Sequence, residues 1–358
     1  MRSLLLGLCA ISTCAWTQEA DSGFELRTNL TAAGIFSNQM AQPPRSGAPA
    51  TAGFRAMLYP TWRMSSNWTA SAAVQVHTRP YFFEQFSTQG RGARADILRA
   101  DLSYSRFWTQ NSFAFRAGQL SSAFGSFLLR YDDMDNPLID MPLTYGYYYK
   151  SVTPYGMPGA QVDLTLNRLD MRAQFANSSP ANRRGMFDSD QYGNWAGGAG
   201  YTIFQGLRVG ASGYRGPYLH RQYAYYRPGE ATPRELPASG VGMDVQFARG
   251  HWSSHGEWQR FIRPYRIMPT FTQQGGYAET RRVLHPRWYA ATRVGYLSSS
   301  VGGVSKVYEL AVGFRPNRHQ LIKFGYQIPY GPKAHGIPDS AFGIQIVTTL
   351  RPITLTGN

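Results

Sequence analysis

Cysteine is nearly missing from this chain: there are 2, Cys9 and Cys14, both close to the N-terminus. A disulfide framework in the rest of the chain is therefore excluded. Charged residues are scarce at 16%, and the acidic ones are the scarcer, 21 against 36 basic, for a net charge of +15. Beyond the N-terminus there is no run of the roughly 20 apolar residues that a membrane-crossing helix needs, and mean hydropathy is only -0.35. A helical membrane bundle is excluded. What the chain has instead is 37 Gly, 23 Tyr and an aromatic fraction of 14%. Those are residues of strands, turns and membrane interfaces.

The first residues, "MRSLLLGLCAISTCAWTQEA", place Arg2 before an apolar run and then small and polar residues. That order reads as a secretory signal over residues 1–17, too short for a spanning helix. One domain, 18–358, is expected to follow, exported and without cysteine.

Its signature is alternation. In "GAQVDLTLNRLDMRAQFAN", Ala160, Val162, Leu164 and Leu166 alternate with Gln161, Asp163 and Thr165; after Asn167-Arg168, Leu169, Met171, Ala173 and Phe175 alternate with Asp170, Arg172 and Gln174. Period 2 on both sides of a two-residue break describes an antiparallel hairpin with one apolar and one polar face. The pattern recurs from Phe24 to Leu350, for instance in Leu98, Ala100, Leu102 and Tyr104, giving about 16 strands. Short connections ("SSN", "TQN", "NR", "QG", "RG", "HPR", "PNR") alternate with long ones such as 37–51, 78–93, 121–158 and 217–239. A soluble sandwich does not sort its loops by length. The expected fold is all-β: a transmembrane antiparallel β-barrel of about 16 strands, with short periplasmic turns and long extracellular loops. The apolar faces then touch lipid, because in lipid only a closed sheet pairs every backbone group.

A barrel this wide leaves an aqueous interior unless something fills it. The longest connection, 121–158, is rich in apolar and aromatic residues, and is expected to fold into the pore as a constriction. It carries Asp132, Asp133, Asp135, Asp140 and Lys150. Strand parity places Arg27, Arg55, Arg63, Arg99, Arg116, Arg172, Arg208, Arg293 and Lys323 inside, with Glu25, Asp101, Asp163, Asp170, Asp244, Glu257 and Glu309. The expected constriction faces Asp132, Asp133, Asp135 and Asp140 toward lumen arginines, among them Arg99, Arg116 and Arg172, and the expected pore-lining set is Arg99, Arg116, Arg172, Arg208, Asp132, Asp133, Asp135 and Lys150.

Several stretches carry a resemblance. "FRAGQLSSAFGS", "DNPLID", "GMPGAQVDLTLNRLDMRAQFAN", "GYAETRRVLHPRWYAATRVGY" and "GFRPNRHQLIKFGYQ" look similar to the phosphate-selective porin O/P family. That resemblance implies a 16-stranded barrel, often trimeric, with an inserted third loop and basic residues along the pore. The terminal "LRPITLTGN", without a final aromatic, and the acidic third loop depart from that pattern.

Together these readings predict a porin in the bacterial cell outer membrane, a passive diffusion channel for small polar solutes with a mild anion preference. Rings of Arg and Lys favour anions. The alternative is a structural or adhesive barrel plugged by its loops, without significant transport. Expected partners are outer-membrane lipid and lipopolysaccharide, small anionic or polar solutes, and two further copies in a homotrimer. Nucleic acid is excluded by the scatter of the arginines over alternating strands. No enzyme, cofactor or metal is expected. His251 and His255 lie four residues apart on a strand, roughly 13 Å, too far to share one ion.

Overall fold

The structure, a computed structural model, describes residues 22–37, 50–78, 81, 92–145, 152, 156–177, 193–216, 229–231, 235–301, 303–330 and 340–356. The expected signal segment 1–17, both cysteines and Lys150 lie outside the described residues.

The alternating stretches form one continuous antiparallel sheet. Its strands are β1 (Gly23–Phe36), β2 (Ala50–Arg63), β3 (Trp68–Thr78), β4 (Ala93–Trp108), β5 (Asn111–Leu120) and β6 (Met157–Leu166). There follow β7 (Leu169–Ala176), β8 (Asn194–Phe204), β9 (Leu207–Gly216), β10 (Ala238–Arg249), β11 (Trp252–Arg263) and β12 (Phe271–His285). The last are β13 (Trp288–Ser299), β14 (Gly303–Phe314), β15 (Gln320–Tyr330), β16 (Ala341–Thr349) and β17 (Ile353–Thr356). From β1 to β16 each pairs with its sequence neighbour. β16 and β17 both pair with β1, from Phe36↔Phe342 down to Gly23↔Thr356, and close the sheet on itself. They are two halves of one strand interrupted at Leu350–Pro352, so seventeen segments make a sixteen-stranded barrel.

The hairpin of β6 and β7 folds as its pattern dictates, with Ala160↔Phe175 and Leu164↔Met171 in register. Its tight turn puts Asn167 at φ 52, a conformation that asparagine tolerates better than other side chains. Large apolar residues on the outer face stand in the open: Trp195 is 65% exposed, Met243 64% and Leu310 52%. Leaving them in water would forgo roughly 1.5–3 kcal/mol each. A lipid environment removes that cost.

Two expectations of the sequence are corrected. The sorting of connections by length has an exception: β13 and β14 are joined on the long-loop side by 300–302 only. Leu98 was expected outside, with Ala100 and Leu102. It faces the lumen instead, 4% exposed, because a β-bulge pairs Ala73 with Arg99 and Val74 with Ile97 and leaves Leu98 between them.

Candidate channel constriction

The connection after β5 turns into the barrel. Phe124 and Phe127 are fully buried, and they cluster with Leu98, Tyr145, Phe261 and Tyr277. Two short 3-10 turns, Phe127–Arg130 and Leu143–Tyr145, shape the segment. Its path is fixed by side chains that reach in from the wall.

Three buried wall cations hold it. Arg55 on β2 lies 3.3 Å from the Asp133 carboxylate, donates to the Tyr131 carbonyl at 2.9 Å and stacks on the Tyr131 ring. Lys323 on β15 donates to the carbonyls of Asp133, Asn136 and Leu138 at 2.6, 2.8 and 3.0 Å. Arg293 on β13 donates to Asn136 and to the Asp140 carbonyl, and is itself balanced by Glu279 and Glu309. On β11, Glu257 accepts from Ser126 and from the Tyr145 hydroxyl at 3.0 and 2.5 Å. Removing one member of such a buried ion pair strands a charge, at about 3–5 kcal/mol.

Glycines let the loop lie flush. A Cβ at Gly242 would meet Phe124 at 3.1 Å, at Gly275 Thr144 at 2.7 Å, and at Gly325 Ile139 at 2.8 Å. These inward glycines on β10, β12 and β15 mark the track of the loop. Gln174 on β7 secures its start, donating to the Ser121 carbonyl and accepting from Ala123 N–H.

The loop is held chiefly by β1–β3 and β10–β16, and its start also touches β7 through Gln174 and β9 through Ser212, which accepts from the Gly125 N–H. The expected opposition to Arg99, Arg116 and Arg172 is corrected: among the described residues, no ion pair or hydrogen bond joins them to the loop. Asp133 is neutralised by Arg55. Asp132 accepts from Asn29, Tyr59 and Met134 N–H. Asp140 turns its carboxylate onto the N–H of Met141. Asp135 alone of the four is exposed, within the lumen. Surrounding protein, and then the neighbouring Asp132, push its pKa up to about 6 against the pull of Lys323, Arg315 and Arg27.

Arg99, Arg116, Arg172 and Arg208 line the other wall, β4 to β9, where Arg99, Arg116 and Arg208 pair with wall carboxylates and Arg172 stands opposite Asp163 in register. Arg99 pairs with Asp101 at 2.9 Å and donates to Ser71. Arg116 lies 3.4 Å from Asp163, whose register partner is Arg172. Arg208 bridges Asp170 and Asp244, 2.5 and 2.7 Å away. It lies flat because Gly200 and Gly210 flank it: a Cβ on Gly200 would overlap its guanidinium. Arg99, Arg116 and Arg208 keep 30%, 22% and 18% of their side-chain surface exposed, whereas Arg55 and Arg293 keep none. One half of the wall is thus covered by the loop; the other presents an alternating belt of arginine and aspartate to water.

Sequence reading passed over Asn29, Tyr59, Gln174 and Asn136, because uncharged polar residues on an inward face look alike. The inward glycines were a legible signal, since parity already placed them on the lumen side. Outside the barrel, Glu230 accepts backbone N–H bonds from Ala231, Arg266, Ile267 and Met268, tying the loop after β9 to the loop after β11. Slight burial raises its pKa, but those four donors prevail and hold it down at about 2.

No protein-family model matches the chain, and no curated protein matches it in sequence. Solved structures match its fold. OmpF of Salmonella typhi, in complex with daunomycin, superimposes with a TM-score of 0.61 at 9% identity, covering 91% of this chain and 97% of that one. OprB of Pseudomonas putida gives 0.61 at 11% identity over 92% and 94% of the two chains. An anion-selective porin from Comamonas acidovorans gives 0.57 at 10% identity over 93% and 100%. The architecture is that of the porins.

Proposed function

We propose that the protein is a porin of the bacterial outer membrane, passing small polar solutes by diffusion between the inserted loop and the arginine-bearing wall of β4–β9, with a mild preference for anions. One observation carries this reading: beyond its start at β7 and β9 the loop is pinned to β1–β3 and β10–β16, which leaves the Arg99, Arg116, Arg172 and Arg208 belt partly exposed. Arginines that alternate with aspartates offer an anion successive weak partners, and weak, multiple sites permit exit as well as entry. Asp101, Asp163, Asp170 and Asp244 offset much of the belt's charge, which keeps the preference mild and argues against tight phosphate selectivity. The sequence stretches that resemble the phosphate-selective O/P porins support the narrower family. The aromatic cluster around Phe124 and Phe127 favours the second reading, a barrel plugged by its loop. A homotrimer is proposed by analogy with the Vibrio cholerae OmpT structure, described as a trimer form (TM-score 0.58 at 11% identity, over 92% and 100% of the two chains).

Planar-bilayer recording decides between the readings. An open constriction gives steady single-channel conductance and a reversal potential in a salt gradient of the anion-preferring sign. Deleting 131–148 widens the pore and raises conductance, and replacing Arg99 and Arg172 by Gln lowers the anion preference. A wild-type barrel that stays silent while the deletion conducts is a plugged barrel; conductance unchanged by the deletion removes the loop from the pathway.

A further inference from the structure

Among the described residues, every charged side chain on the outer wall is a cation, whereas the carboxylates lie in the lumen or the loops. Residues directly opposite in an antiparallel sheet share a face, so Arg249 (opposite Trp252) and Arg282 (also opposite Trp252) point to the lipid side at the short-turn end. The Arg282 guanidinium stacks over the Trp252 ring at 4.9 Å. No ion pair holds Arg249 or Arg282 among the described residues.

A second feature adjoins them. The outer face of β12 above Arg282 runs Thr280, Ala278, Gly276, Gln274, without one large apolar side chain. Larger residues stand on both sides: Trp258 on β11 opposite Gly276, and Val294 on β13 opposite Ala278. The result is a shallow depression that extends over Gly256 on β11; another small-residue patch of the outer wall lies over Ala173, Gly197, Ala199, Ala211 and Gly213 on β7–β9. The Ser254 and Thr280 hydroxyls bond each other at 3.0 Å on the floor of the depression, one row above the arginines. From Arg282 to Gly276 the strand rises roughly 20 Å at 3.3 Å per residue, enough to span the hydrocarbon of one leaflet, about 15 Å.

We infer that this face of β11–β13 is a binding site for one anionic phospholipid. Its phosphate sits between Arg249 and Arg282 beside Trp252, its ester region lies at Ser254 and Thr280, and an acyl chain fills the depression over Ala278 and Gly276. The charge complementarity is one-sided: two cations meet at one end of the depression, with no described carboxylate on that face to satisfy them. Cations with an aromatic platform at the membrane interface attract phosphate, and the missing side-chain bulk supplies the slot for the chain. The inference rests on the barrel lying in a membrane and not on its conducting.

The test uses the purified full-length barrel in micelles, with bound lipid counted by native mass spectrometry during titration with dioleoyl phosphatidylglycerol or dioleoyl phosphatidylcholine. One phosphatidylglycerol is retained in preference to phosphatidylcholine. Arg249→Gln and Arg282→Gln each weaken its retention about fivefold. Ala278→Phe weakens retention of both lipids, and Ala173→Phe, on the outer face of β7, does not. Single-channel conductance of these variants stays at the wild-type value, which separates this site from the channel reading. Equal retention of the two lipids by the wild type, or arginine variants that bind as before, overturns the proposal. Displacement by millimolar inorganic phosphate identifies a free-anion site instead. Disulfide cross-linking between copies through Ala278→Cys identifies a protein occupant.

Discussion

At the scale of a residue, glycine and arginine cooperate on this wall. Gly200 and Gly210 have no side chains, and that vacancy is what allows the Arg208 guanidinium to lie flat between Asp170 and Asp244. A methyl at Gly200 meets the mobile end of a side chain, so the arginine yields before the strand does. Gly200→Ala is therefore expected to fold at a cost of about 1–3 kcal/mol and to push Arg208 into the passage. Single-channel conductance falls. Adding Arg208→Ala to the same chain restores it, because the obstructing group is gone. An undiminished conductance in the single variant would mean that Arg208 has another place to rest and that its seat has no part in the pore.

The elements divide into those legible in the sequence and one that was not. A strand facing lipid on one side and water on the other must alternate, and the hairpin of β6 and β7 therefore showed its turn, its register and its inward Asp163 and Arg172. Parity likewise put Arg55, Arg293 and Lys323 inside. It failed at Leu98, since a bulge inserts one residue without leaving any mark in the composition. The inserted loop was recognisable from its length and aromatic content, but its direction was not. Which half of the wall it covers depends on contacts more than 150 positions apart in sequence, such as Arg293 with Asn136 and Lys323 with Asp133. Its aspartates looked like a free acidic face, yet Asp133 is the buried counter-ion of Arg55. That pairing makes Arg55→Met informative. Leaving Asp133 uncompensated in the interior should destabilise the loop's attachment by about 3–5 kcal/mol, seen as a lower urea midpoint and as flickering of the open-channel current. Arg55→Met with Asp133→Asn should recover much of both losses. A single variant as quiet and as stable as wild type would show that the loop is held elsewhere.

Across the whole molecule, charge is sorted by face: among the described residues, cations alone on the lipid side and both signs in the lumen. The surplus of 36 basic over 21 acidic residues therefore overstates the pore, whose arginines are largely matched by aspartates. In a nearly balanced lumen a single titrating group changes the sign of little and the size of much. Asp135 is that group, because it is exposed in the lumen and its carboxyl titrates near pH 6. Above that pH it is charged and opposes anions in transit; as pH falls through about 6 it binds a proton and the opposition is withdrawn. Anion preference should therefore rise between pH 8 and pH 5, read as a shift of the reversal potential at a fixed salt gradient. The low-salt side shows it best, since charges in an aqueous lumen are screened over about 10 Å at 0.1 M ionic strength. Asp135→Asn should have the low-pH preference at every pH and lose the shift. If the asparagine variant still shifts between pH 8 and pH 5, another group carries the titration, and the exposed carboxylate of the loop does not govern selectivity.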